Sequence, residues 1–153
     1  MVAPTEPRGW IGVDFDGTLA DYSQGWRGAG HLGAPVPLML DRVKRWLAEG
    51  RQVRVFTARC WPVNDVPEAF DIDYARSTCD DAFSSQPEKA VRVAAALETC
   101  DRIAAWCEVF LGKRLHITCI KDMNMIELYD DRCVQVIANT GQLVGQSSRG
   151  VPA

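Results

Sequence analysis

Apolar residues in this chain come in two rhythms, short unbroken runs and longer stretches spaced by three or four, and the alternation sets the expected order of elements. The run Trp10-Ile11-Gly12-Val13-Asp14-Phe15 lies between Arg8-Gly9 and Gly17, which predicts a short buried strand. Residues 23–37 are rich in glycine and proline and predict a loop; after them Leu38, Leu40, Val43, Trp46 and Leu47 recur at helical spacing up to Glu49-Gly50. Residues 52–57 hold Val53, Val55 and Phe56 and end in Thr57-Ala58-Arg59, a second strand. Strand, helix and strand make one βαβ unit.

Residues 60–87 are polar and acidic, contain Pro62, Pro67 and Pro87, and keep no period, so they read as an irregular insertion with a short helix. Val91, Ala95, Leu97, Ile103, Trp106, Val109 and Phe110 then mark residues 88–111 as one long helix, or two with a bend near 99–101, stopped by Gly112. Residues 115–120, 126–129 and 133–137 are three further strand candidates, Asn139-Thr140-Gly141 is a turn, and the tail from Ser147 reads as loose. Only a handful of residues separate 115–120 from 126–129, whereas a parallel crossover needs about a dozen. Two readings stay open: 115–120 lies outside the parallel core, or one strand is misassigned.

Strands alternating with helices in 153 residues, without internal repeats, predict a single α/β domain over residues 1–153. The expected architecture is a three-layer α/β sandwich on a Rossmann-like, mainly parallel sheet, with 20–37 a flap-like loop and 60–87 a short insertion. Functional residues in such sheets belong at the carboxyl ends of the strands. A hydrophobic content of 47% suffices for a core, and a net charge of −3 with both signs interspersed advertises neither a nucleic-acid nor a membrane surface. No apolar run approaches the roughly 20 residues of a membrane span, and residues 1–8 lack the pattern of a signal peptide, so the expectation is a cytoplasmic protein. The six cysteines form no CxxC pair and no zinc-ligand spacing, which predicts reduced, mostly packed thiols. Cys100 and Cys107 share a helix face, and Cys119 and Cys133 fall in strand-like runs.

Asp14 and Asp16 put two carboxylates at the end of the first strand, followed by a glycine suited to a tight turn. Strand alternation points both the same way, and their repulsion calls for a cation; Mg2+, a hard ion that prefers oxygen ligands, is the natural one. The pentapeptide Asp14-Phe15-Asp16-Gly17-Thr18 resembles the DxDGT motif of the haloacid dehalogenase-like hydrolases. That resemblance extends in order along the chain: Thr57 at the end of the second strand matches the hydroxyl motif, and Asp130-Asp131 after Ile126-Glu127-Leu128-Tyr129 matches the final acid pair. The motif lysine is assigned to Lys121, in preference to Lys113 beside Arg114 at a helix end.

What the resemblance implies is a cap-less phosphatase in which Asp14 is the phosphate-accepting nucleophile and Asp16 the general acid and base. Thr57 and Lys121 would contact the phosphate, and Asp14, the Asp16 carbonyl, Asp130 and Asp131 would hold magnesium. The substrate would be a small phosphorylated metabolite, a nucleotide or the phosphate of a polynucleotide end. Trp26, Arg27, His31, Arg59, Trp61 and Arg76 lie in the two segments flanking the site; Arg59 is the best placed for phosphate, with a structural salt bridge an equal reading. A phosphoacceptor or binding module without rapid turnover is the alternative, disfavoured by Asp16, and haloacid dehalogenation is a third, disfavoured by the metal-binding acids.

Overall fold

A computed structural model of the chain describes residues 9–60 and 87–145. Strand β1 is Trp10–Asp14, and Trp10, Ile11 and Val13 are each 0% exposed, as a run apolar on both faces requires. Helix α1, Pro37–Ala48, starts with proline in its first turn, where the missing N–H costs no helical bond, and stops at Gly50 (φ 75°), whose N–H donates to the Leu47 carbonyl. Its buried stripe is Met39, Val43 and Trp46; Leu38, expected on that stripe, is exposed. Strand β2 is Gln52–Phe56.

Helix α2 runs unbroken from Pro87 to Leu111, so the bend considered near 99–101 does not form; the Thr99 hydroxyl there donates to the Ala95 carbonyl one turn back. Gly112 (φ 75°) ends it, donating to Glu108. Strand β3 is the short His116–Thr118, and β4 is Met125–Tyr129. Residues 133–137 join no sheet strand. They form one arm of a hairpin, with Val136 opposite Leu143, Ile137 N–H donating to Gln142, and a turn through Asn139 in the left-handed region (φ 63°). Cys133 accordingly lies in an exposed stretch, not in a strand.

All pairings in the four-stranded sheet are parallel, in the order β3-β2-β1-β4. The short link at residues 119–124 is explained by this order: β3 and β4 sit on opposite edges and are not neighbours, so neither reading left open by the spacing applies. Asp122 anchors the link on the sheet, accepting a hydrogen bond from Trp10 Nε1 (2.8 Å) and pairing with Arg54, whose guanidinium stacks over the Trp10 ring. The Trp10 hydrogen bond is the main reason the Asp122 carboxyl is held below the usual range.

The crossovers through α1 and α2 step the same way across the sheet, and right-handed crossovers then put both helices on one face. The core agrees: Ile11, Val13, Phe15, Val53, Val55 and Ile117 from that face share one cluster with Val43, Trp46, Ile103 and Cys107. Trp10, on the other face, is buried but outside the cluster. Among the described residues no helix covers this second face, and no helix is long and apolar enough to cross a membrane. Cys60, Cys100 and Cys107 are buried thiols outside any disulfide and Cys119 is half-buried; Cys79, Trp61 and Arg76 lie outside the described residues.

Ile103 is fully buried between α2 and the sheet, whereas Val91 on the same helix is 69% exposed. Ile103→Ala is expected to lower stability to urea by about 2–5 kcal/mol, and Val91→Ala to change it by no more than about 0.5 kcal/mol. Equal effects at the two positions would mean that α2 is not packed as described.

Candidate functional site

Asp14 is the last residue of β1, and the chain then folds back on itself: the Phe15 carbonyl accepts from the Leu19 and Ala20 N–H groups, and Gly17 N–H donates to Ala20. Gly17 holds φ 89°, and a Cβ there would come within 2.8 Å of Asp131 Oδ2. Glycine thus serves twice, for the turn and for the approach of β4's carboxyl end. Thr18 stitches the two: its hydroxyl accepts the Asp131 N–H (3.1 Å) and lies 3.4 Å from Asp131 Oδ1 and 3.5 Å from Asp14 Oδ2. With one proton, it serves one of these carboxylates at a time.

Tyr129 ends β4, and Asp130 and Asp131 follow at once. Asp14, Asp130 and Asp131 each bring a carboxylate oxygen within 4.8 Å of the others, at the carboxyl ends of two adjacent parallel strands. The chain leaves β1 toward β2 and returns on its other side as β4, so this crevice is the switch point of the sheet, where α/β folds bind ligands. All the donors are hard oxygens, a set suited to Mg2+ or another hard divalent cation.

The Asp16 side chain is not part of this trio. Arg59 grips it with both ends of a fork, Nε to Oδ2 at 2.6 Å and Nη2 to Oδ1 at 2.8 Å, the geometry of a strong bidentate pair. Arg59 also donates to the Ala29 and His31 carbonyls of the flap-like loop, and its guanidinium lies 4.8 Å from the Trp26 ring centroid. Its side chain is only 6% exposed. Of the two readings open for Arg59, the salt bridge is the one observed; its partner, Asp16, carried no sequence signal because the two are far apart in the chain. The loop is pinned again by Trp106 Nε1 on the Gly33 carbonyl and by Asp21 N–H on Ala34.

Thr57 follows β2 and is 2% exposed; its N–H donates to Thr118 of β3, and its hydroxyl accepts the Arg59 N–H. It lines a cleft of about 510 Å³ together with Asp14, Asp16, Asp130, Trp26 and Arg59. Tyr22, Phe56 and Arg132 line the same cleft and were not singled out from sequence. Arg132 was findable as the basic neighbour of the acid pair. Lys121 is exposed and does not line the cleft, yet its charge reaches Cys133, which also feels Asp130, Asp14 and Asp131. Lys113 borders a different cavity, with Gln52 and Arg51 at the amino end of β2, far from the acids. His31 is exposed and offers its backbone carbonyl to Arg59.

Burial, and after it the charges of Asp130 and Asp131, push the Asp14 carboxyl from its ordinary 3.8 up to about 7. The unfolded chain loses that proton near pH 4, so between about pH 4 and 7 the folded state binds more protons and stability falls as pH rises; above about 7 the penalty is complete. With chelator present, Asp14→Asn is expected to raise the thermal midpoint at pH 8 by several degrees, on a scale of about 2–4 °C per kcal/mol, and to leave it little changed at pH 4. A lower midpoint at pH 8 would contradict the repulsion. Compared with protein-family models, with curated proteins and with solved structures, the chain matches none of them.

Proposed function

We propose that the chain is a magnesium-dependent phosphomonoesterase of the haloacid dehalogenase-like type, working through an aspartyl-phosphate on Asp14. The observation that carries this reading is the convergence of Asp14, Asp130 and Asp131 at the switch point of the sheet. The parallel order β3-β2-β1-β4, with the DxDGT segment closing β1 and Thr57 closing β2, supports it. A second helical layer, completing a three-layer sandwich, rests on the sequence resemblance alone.

Asp14, Asp130 and Asp131, with the Asp16 carbonyl, are the residues that would hold the cation. When bound, the metal neutralises the carboxylates and the phosphoryl oxygens and so lets the two approach. An Asp14 oxygen attacks phosphorus in line, the bond to the leaving oxygen breaks, and Asp16 gives that oxygen its proton. Water then attacks the aspartyl-phosphate, Asp16 takes the water's proton, and inorganic phosphate leaves with Asp14 restored. Thr57 and the Ala58 N–H, both from the cleft lining, would bond the transferring oxygens, and Lys121 would supply positive charge from outside that lining.

The fork from Arg59 occupies both Asp16 oxygens as acceptors, so before Asp16 can donate, one must be released and take up a proton, which a phosphomonoester monoanion brings with it. A phosphoryl group arriving in the cleft competes for the same guanidinium and supplies that release. If the fork persists instead, both protonation of the leaving oxygen and activation of water are slowed, and only a phosphate with a good leaving group would phosphorylate Asp14, which is the phosphoacceptor reading.

Turnover of phosphomonoesters is expected to need magnesium and to fall by on the order of 10³-fold or more in Asp14→Asn. Retained turnover in that variant would sink the mechanism, and a burst of phosphate-labelled protein without steady release would favour the phosphoacceptor. Lys121→Gln is expected to cost about 10²-fold in kcat/KM, the scale of losing one preorganised charge contact, with Lys113→Gln within about twofold of the parent. The reverse pattern would overturn the role given to Lys121.

A further inference from the structure

The cleft has a wall that phosphoryl transfer does not use. Trp26 lines it, is 61% exposed, and carries the Arg59 guanidinium over its ring. Large aromatic rings exposed in a cleft are costly to leave wet and are common ligand platforms. The Trp26 ring is placed by its contact with Arg59. It sits at the tip of a loop between Gly25 and Gly28, both with φ in the left-handed region (67° and 94°), and the guanidinium beneath it is tied to Asp16, Ala29 and His31. The ends of the loop are joined by the Asp21–Ala34 hydrogen bond and held at Gly33 by Trp106, and between them the ring forms a shelf at the cleft wall.

The chain of contacts Asp16–Arg59–Trp26 puts the shelf at a set remove from the acid that serves the leaving oxygen. With a guanidinium between the ring and Asp16, a flat group stacked on Trp26 stands too far from that oxygen to be bonded to it directly and needs a spacer. A phenyl ring bonded directly to the ester oxygen lacks the spacer, and an aliphatic ester lacks the flat group. A base joined through a sugar has both. A cleft of about 510 Å³ is within the range that encloses a ligand of this size. Resting on the phosphatase reading above, we infer that the substrate is a nucleoside monophosphate, its phosphate at Asp14 and its base stacked on Trp26.

The test compares a nucleoside 5′- and 3′-monophosphate set with glycerol phosphate, a phenyl phosphate and 5′- and 3′-phosphorylated oligonucleotides, all with magnesium. The mononucleotides are expected to show the highest kcat/KM. Trp26→Ala is expected to lower their advantage over glycerol phosphate by roughly 5- to 100-fold, and Trp26→Phe to keep most of it, since a base stacks on any aromatic face. An advantage absent from the parent, or unchanged in Trp26→Ala, overturns the inference while leaving the phosphatase intact. A preference for the oligonucleotides overturns it as well. Binding is read separately by titrating the same mononucleotides into the Asp14→Asn protein and following the Trp26 indole N–H resonance, assigned by its loss in Trp26→Phe. A shift at that resonance with no turnover in the parent would retain the shelf and discard the phosphatase. The absence of a shift with turnover present would do the opposite.

Discussion

Parallel pairing of β1 on both its edges is the constraint from which the rest follows. Because β2 lies on one side and β4 on the other, the chain has to leave the centre of the sheet in one direction and return in the other. That reversal opens a crevice at the carboxyl end, and any acids placed there are forced together whatever their distance in sequence. Asp14 meets Asp130 and Asp131 for this reason, and the buried faces of β1 keep the meeting point from relaxing. The parallel register fixes the levels: Asp14 stands opposite Phe56, so Thr57 is carried one residue beyond it, on the rim of the same cleft.

Much of this was legible in the sequence. Strands β1 and β2, helix α1 and the acid pair after β4 were readable because each has a local signature: a short apolar run, a helical stripe ended by glycine, carboxylates directly past a strand. The order of the sheet was not. Spacing between 115–120 and 126–129 looked too short for parallel neighbours, and it is, but spacing carries no information about which edge a strand joins. The strand expected at 133–137 failed for a related reason. Its alternation is real, yet it pairs with residues just downstream through a tight turn, and one hairpin satisfies its backbone without the sheet.

Side-chain partners far apart in sequence were the least legible. Thr18 reads as the last residue of a motif and turns out to bond across to Asp131 just past β4; Arg59 reads equally as a phosphate contact or a salt bridge, with no partner identifiable, and is bound to Asp16, two carbonyls and a ring. Nothing in composition or period distinguishes an arginine kept for a ligand from one already spent on a neighbour. The cost of an unpaired, nearly buried guanidinium decides it.

The stitch between Trp10, Arg54 and Asp122 has a reach beyond its own face of the sheet. Residues 119–124 cross that face with neither helix nor strand to stiffen them, so their path is set by the Asp122 carboxylate and the Trp10 N–H bond to the Asn124 carbonyl. Lys121 is the neighbour of that anchor. Its backbone is thereby placed from the amino end of the sheet, by residues that take no part in the acid cluster at the carboxyl end.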